Sequence, residues 1–332
     1  MEEKELIEKA LNIEKIRCAA ERIRPYIRRT PLLRERSMDE RLKCRVWVKP
    51  EMLQISGAFK MRGALNKILG LTQEERERGI ICSSSGNHGK ACALIGKMMG
   101  IRVIVVLPED VPKAKIGDIE RLGGEVLIGP RIYDERWKMV REEVAKHGYT
   151  IVHAYEDYEV MAGQGTLGLE IMEDMPGIDT VIVPVGGGGL LSGVATAVKT
   201  LKPTVKVVGI QAKGNDGYVQ SMKAGHPVEI ELTPTIADGL TARKPGINPY
   251  PILEKYVDEW ISVGEDDIRE AVRLVAAEAK LIAEPSSSVG IAALLSGEYK
   301  AEPDENIAFV LTSGNWDIDR IGDILCGGTG IK

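Results

Sequence analysis

Residues 180–193 read TVIVPVGGGGLLSG. The first six positions are apolar or β-branched without polar alternation, the pattern of a strand covered on both faces. Gly186, Gly187, Gly188 and Gly189 end that run, and LLSG opens a helical one. Ligands of open α/β sheets bind where such strands end. With no Cβ in the way, the backbone N–H groups of the four glycines can wrap an anion, so the loop has the physics of a phosphate cradle. It is neither a GxGxxG fingerprint nor a Walker A loop, because no Gly-Lys-Ser/Thr follows. Close helix–strand packing is the other use for glycines placed this way.

The same unit recurs along the chain. Strands are expected at 45–49, 80–83, 103–107, 125–128, 180–185, 206–212, 259–263 and 307–311. Helices are expected at 58–69, 88–99, 113–121, 133–147, 160–175, 190–201, 265–281 and 288–295. Alternation of this kind predicts an α/β fold with mainly parallel, open twisted sheets. The strands outnumber those of an average sheet, which points to two α/β lobes. No internal repeat, low-complexity tract or clean linker interrupts the pattern.

Composition narrows the class. The 332 residues are 44% hydrophobic, as in an ordinary globular protein. A net charge of -5 without a basic block gives nucleic acid no electrostatic footprint. The acidic, amphipathic start MEEKELIEKALNIEKI is not a secretory signal, and no apolar run is long enough for a bilayer. The five cysteines form no CxxC pair, so neither a disulfide framework nor a zinc site is expected and a reducing cytoplasm is the simplest home.

Two more strand ends carry unusual loops. SSSGNHGKA, residues 83–91, gathers hydroxyls, an amide and a glycine at a helix start, where free N–H groups favour a carboxylate. FVLTSGNWD, residues 309–317, closes the last strand with Thr312 and Ser313, and alone it reads equally well as a turn. A fourth segment, SGAFKMRGA at 56–64, begins like a turn and continues like a helix, with Ser56 and Gly57 as expected N-cap residues. Lys60 then falls in the first helical turn, an awkward place for a cation. Either it snorkels to water or it is a partly desolvated, reactive amine. An amine, a carboxylate nest, a phosphate cup and a terminal hydroxyl together match the aldehyde, phosphate and pyridine nitrogen of pyridoxal 5'-phosphate.

On SGAFKMRGA, SSSGNHGKA, MAGQGTLGLEI, VPVGGGGLLSG, TPTIADGL, EPSSSVGIAAL and TSGN, the chain resembles the serine racemase and serine/threonine dehydratase family, the fold-type II (tryptophan synthase β-like) pyridoxal-phosphate enzymes. The resemblance covers nearly the whole chain. It implies a larger cofactor-binding domain from 1–53 plus 156–332 and a smaller mobile one at 54–155. It implies that Lys60 carries the cofactor with Phe59 beside the ring, that Asn87 meets the phenolic oxygen, and that Gly186, Gly187, Gly188 and Gly189 with the Leu190 N–H hold the phosphate. Thr312 would meet the pyridine nitrogen, with Ser313 as its alternative. Ser84, Ser85, Asn87 and His88 would hold the substrate carboxylate. The implied reaction is β-elimination: the substrate amine displaces Lys60, whose freed amine takes the α-proton. A 2-oxo acid and ammonia result from L-threonine, L-serine or a related β-hydroxy amino acid. A homodimer is expected on the same ground, and no regulatory domain is expected after the last helix.

Departures from the family pattern keep a second reading open. Ser85 matches the racemases' acid/base serine on the opposite cofactor face, so racemisation is the alternative activity; the hydroxyl serves equally in the carboxylate nest. Tyr155 and Ala242 replace small polar residues near the substrate, which shifts the expectation from serine towards another β-hydroxy amino acid. Arg136 matches an arginine near the substrate and is a candidate partner for a second carboxylate. The family often binds Mg2+ or Ca2+; here Gly214 and Asp216 are the candidate ligands, and Gln211 stands in place of a glutamate. Glu284 either orients a neighbour of the cofactor or caps the helix start at Ser286–Ser288, and capping is the expected role.

Overall fold

A computed structural model of the chain describes residues 3–84, 86–111 and 113–330. Ten strands form two sheets: β1 Leu33–Arg34, β2 Arg45–Pro50, β3 Ile80–Ser83, β4 Val103–Pro108, β5 Glu125–Gly129, β6 Thr150–Ile151, β7 Thr180–Pro184, β8 Lys206–Ala212, β9 Glu259–Val263 and β10 Asn306–Leu311. One sheet runs β1-β2-β10-β7-β8-β9 and the other β5-β4-β3-β6. Within the two sheets only the β1–β2 pairing is antiparallel among the described residues. The decisive strand β7 is buried at every position and lies between β10 and β8. Its apolar run therefore has the two-sided cover that its sequence predicts.

Glycines let the helices beside β7 come close. Helix Gly189–Leu201 packs on helix Tyr158–Asp174, where a Cβ on Gly193 would stand 2.2 Å from the Met161 carbonyl and 2.5 Å from the Gly165 nitrogen. Helix Lys60–Leu69 meets the same helix at Gly163, where a Cβ would stand 2.5 Å from the Arg62 carbonyl. The glycines of MAGQGTLGLEI thus set the spacing of three helices. Beneath this contact lies a buried ionic network. Arg62 donates to Glu51 at 2.8 and 2.9 Å and to Glu170 at 2.7 and 2.9 Å, and Lys49 meets Glu170 at 2.6 Å.

Some expected elements shift. Helix 58–69 begins at Lys60, because Ala58 bridges to Ser313 and the Phe59 N–H donates to the Thr312 carbonyl at 3.0 Å. Ser56 is not its N-cap; the hydroxyl turns to the Ala58 carbonyl at 3.0 Å, and Gly57 takes a left-handed φ of 70°. Helix 265–281 is an α-helix over Glu265–Leu274 followed by a π turn over Val275–Ala279.

Candidate active site

Lys60 is the first residue of its helix and half-buried. Its Nζ donates to the Ala154 carbonyl at 2.9 Å and lies 4.9 Å from the centre of the Phe59 ring. Loss of surrounding water pushes its pKa down to about 8, a little offset by Cys92. Snorkelling into solvent is therefore not what this lysine does. The neighbour of its acceptor, Tyr155, covers the glycine loop, since a Cβ on Gly187 would stand 2.4 Å from the Tyr155 ring. Lys60 and the glycines are joined through this one short segment.

The loop itself is built without room for side chains. Gly188 has a φ of 97° and caps helix Gly189–Leu201, and a Cβ there would stand 2.2 Å from the Tyr218 hydroxyl. Tyr218 donates to the Gly187 carbonyl at 3.0 Å and accepts from the Gly246 N–H at 3.1 Å, while its ring stacks on Trp260 at 5.2 Å. Gly187 is half-buried and Leu190 buries its side chain, and the first-turn N–H groups of a helix have no partner within it. A glycine loop at a helix start, backed by an aromatic pair, has the form of an anion cradle.

Asn87 opens helix Asn87–Met99 and ties both sheets together. Its Nδ2 donates to Glu284 at 3.1 Å and to the Ser313 hydroxyl at 3.0 Å, and its Oδ1 accepts from Asn315 at 2.9 Å. Asn315 also donates to the Ser56 carbonyl at 2.7 Å. Thr312 is buried, with its hydroxyl 2.9 Å from that of Ser287. Ser287 in turn donates to the Ser313 carbonyl and accepts from the Ser313 N–H, both at 2.8 Å. Of the two hydroxyls at this strand end, Ser313 faces Asn87 and Thr312 faces Ser287.

The neighbouring candidates are placed as follows. The His88 side chain is buried and directed at the Val152 carbonyl, 2.8 Å away. Glu284 stands at the N-cap position but makes no capping bond with its side chain, which reaches Asn87 instead. Burial pushes its carboxyl up, and the Ser313 and Asn87 bonds oppose that. Arg136 sits beside the end of β3, giving hydrogen bonds to the Ser83 hydroxyl at 3.0 Å and to the Pro130 and Arg131 carbonyls at 2.9 Å. Ser84 accepts from the Gly86 N–H at 3.3 Å. Ser85 lies outside the described residues.

The expected cation site is thinly furnished. Gln211 spends its Oε1 on the Tyr218 and Val219 N–H groups at 2.8 and 3.1 Å and its Nε2 on the Val185 carbonyl at 3.2 Å. Asp216 accepts from Gln220 at 2.8 Å, and next to it the buried Asn215 Oδ1 has no partner. Gly214 has a φ of 79° and packs against Thr233.

Asn315, Ser287, the Ala154 carbonyl and Tyr218 are site residues that the sequence does not single out. The first two lie within TSGN and EPSSSVG, but only the fold shows their partners.

The amine beside a phosphate cradle agrees with comparisons to known proteins. The chain is 38% identical over 316 residues to an L-threonine ammonia-lyase of Thermotoga maritima, covering 95% of this chain and 78% of that protein. It is 40% identical over 313 residues to a catabolic L-threonine dehydratase of Staphylococcus aureus, covering 93% and 90%. The structure of maize serine racemase superposes with a TM-score of 0.89 at 35% identity, covering 94% of this chain and 96% of that one. The family model described as pyridoxal-phosphate dependent enzyme matches residues 23–313, and a lysine and glycine cradle suited to that cofactor lie inside the match, so the chain belongs to the pyridoxal-phosphate dependent enzymes.

Proposed function

We propose that this enzyme is an ammonia-lyase that converts L-threonine, L-serine or a related β-hydroxy amino acid to a 2-oxo acid and ammonia. The observation that carries the reading is the Lys60 amine, held at about 8 beside a loop that only glycine can form. The names of the Thermotoga and Staphylococcus relatives support the reaction class. Pyridoxal phosphate, when bound, supplies an aldehyde carbon for an amine and a ring that acidifies the substrate α C–H. Gly186, Gly187, Gly188, Gly189 and the Leu190 N–H would hold its phosphate, Phe59 would pack beside it, Asn87 would serve its phenolic oxygen, and Thr312 would serve its pyridine nitrogen.

The remaining groups handle the substrate. Ser84, Ser85, Asn87 and the His88 amide hold its carboxylate at a helix N-terminus. The Lys60 amine would accept the substrate α-proton as general base. The β-hydroxyl leaves with a proton, and the released enamine tautomerises and takes up water to give the oxo acid and ammonia. Tyr155, over Gly187, shapes the space beside the cradle, and Arg136 borders it from β3.

The reading extends to the whole protein. The smaller sheet, β5-β4-β3-β6, supports a mobile domain at 54–155, and the larger sheet supports a cofactor domain from 1–53 plus 156–332. The assembly is proposed to be a cytoplasmic homodimer. With one carboxylate available, any Mg2+ or Ca2+ at Gly214 and Asp216 is held weakly, and EDTA should leave turnover within about twofold.

A racemase activity is the second reading, favoured by the likeness to serine racemase structures. One experiment separates the two. The pyridoxal-phosphate-loaded enzyme is incubated with L- and D-serine, L-threonine, 3-hydroxyaspartate and phenylserine, and both oxo acid and inverted amino acid are measured. Oxo acid without inversion is the expected result. Inversion in quantity, abolished by Ser85→Ala while elimination survives, would put the racemase first. Turnover by Lys60→Ala would sink both.

A further inference from the structure

Beneath Lys60 lies a side-chain cluster that this chemistry does not use. Cys82 is on β3, and His88 and Cys92 are four apart on helix Asn87–Met99, so both face that strand. All three are buried, and their donor atoms lie within 4.8 Å of one another. Cys92 Sγ is 3.6 Å from His88 Nε2. Buried cysteines commonly pack as small apolar residues. The spacing of the donor atoms goes past that explanation.

The Val152 carbonyl can only accept, so His88 Nε2 carries the hydrogen at 2.8 Å from it. Nδ1 has no partner, so the Nε2 bond is the imidazole's one anchor, and no bond at Nδ1 opposes a change of tautomer. The observation that bears on a ligand is the spacing. Bond lengths of about 2.3 Å to sulfur and about 2.0–2.1 Å to nitrogen make a tetrahedral S···N edge of about 3.6 Å. The Cys92–His88 separation has that length before any ion is present. Two sulfurs and an imidazole suit a soft cation and not Mg2+ or Ca2+.

We propose that Cys82, His88 and Cys92 form a latent binding site for a thiophilic divalent cation of the Zn2+ class, and that its occupancy slows the enzyme. Binding forms two metal–sulfur bonds and one metal–nitrogen bond and releases the two thiol protons to solvent. Ligation at Nε2 moves the ring hydrogen to Nδ1 and takes away the hydrogen bond to the Val152 carbonyl. Val152 is two residues before Ala154, whose carbonyl holds Lys60 Nζ. The cation therefore loosens the segment that aims the amine. Its entry is slow, because the cluster opens only through local unfolding.

Cd2+ is the probe, added to pyridoxal-phosphate-loaded enzyme carrying Cys18→Ser and Cys326→Ser, which removes the two exposed thiols. The expected result is one tightly held Cd2+ per chain, an ultraviolet sulfur-to-cadmium absorption, and a slow fall in turnover of about tenfold or more as it grows in. Adding Cys82→Ser should leave metal-free turnover intact and abolish both the absorption and the inhibition. Equal uptake and inhibition with and without Cys82 would overturn the proposal, as would the absence of sulfur-to-cadmium absorption at one equivalent. Should the Cys82 variant fail to fold, X-ray absorption of the Zn2+-loaded parent decides. Two sulfur neighbours with one nitrogen support the site, and a shell of oxygen alone refutes it.

Discussion

A lysine at the first position of a helix meets the positive end of the helix dipole, and water withdrawn from around Lys60 adds to the penalty on its charge. With its pKa at about 8, roughly a tenth of the amine is neutral at pH 7, against about three in ten thousand for an ordinary lysine. Only the neutral form attacks an aldehyde, so the rate at which apoprotein captures pyridoxal phosphate should rise with pH and level off above about 8. Stopped-flow absorbance would check this; a rate still climbing beyond pH 10 would show that the amine is not depressed. Close packing acts at the same scale on Gly187. Gly187→Ala forces a methyl into the Tyr155 ring, an overpacking worth about 1–3 kcal/mol, and should weaken cofactor retention about tenfold. Tyr155→Ala in the same chain should recover most of the loss. A double variant as weak as the single one would mean that the methyl obstructs the cofactor itself.

Helices meet here through backbone, which leaves less slack than a side-chain contact. Gly193→Ala places its methyl against the Met161 carbonyl and the Gly165 nitrogen, neither of which can swing away. Helices Gly189–Leu201 and Tyr158–Asp174 must part, and thermal unfolding should fall by a margin equivalent to about 3 kcal/mol. An unchanged melting temperature would show that the contact yields. This contact was legible as glycine-rich sequence but not as a helix crossing. Strands β3, β8 and β9 have the bounds their β-branched runs predict, because punctuation and composition agree there. Strands β1 and β6 are two residues each and exist only through pairing with β2 and β3, which local pattern does not encode. The start of helix Lys60–Leu69 was displaced for the same reason, by a bridge from Ala58 to Ser313. Asn87 was recognisable in its motif, but its Glu284 partner lies far along the chain, and Glu284 read locally as a cap.

The buried charges tie distant parts of the molecule to the lysine. Arg62, two residues after Lys60, has no exposed surface, and its fork grips Glu51 just past β2 and Glu170 on helix Tyr158–Asp174. In the sequence these are ordinary charged residues on amphipathic segments, and nothing local marks them as partners. Although burial alone would push the Glu170 carboxyl up, Arg62 and Lys49 hold it below its ordinary value. A carboxyl so depressed contributes stability above its unfolded pKa and loses that contribution as pH falls through its folded one. Arg62→Met should therefore act twice. At neutral pH it leaves two buried carboxylates short of a cation and should cost about 3–5 kcal/mol in urea unfolding. In acid, Glu170 protonates sooner, so the variant's loss relative to the parent should shrink as pH falls through the carboxylate range. Arg62→Lys keeps the charge but not the fork, and should fall between the two. A penalty that stays constant down to pH 3 would mean that Arg62 serves by volume alone, and the ionic link between the lysine helix and the larger sheet would have to be abandoned.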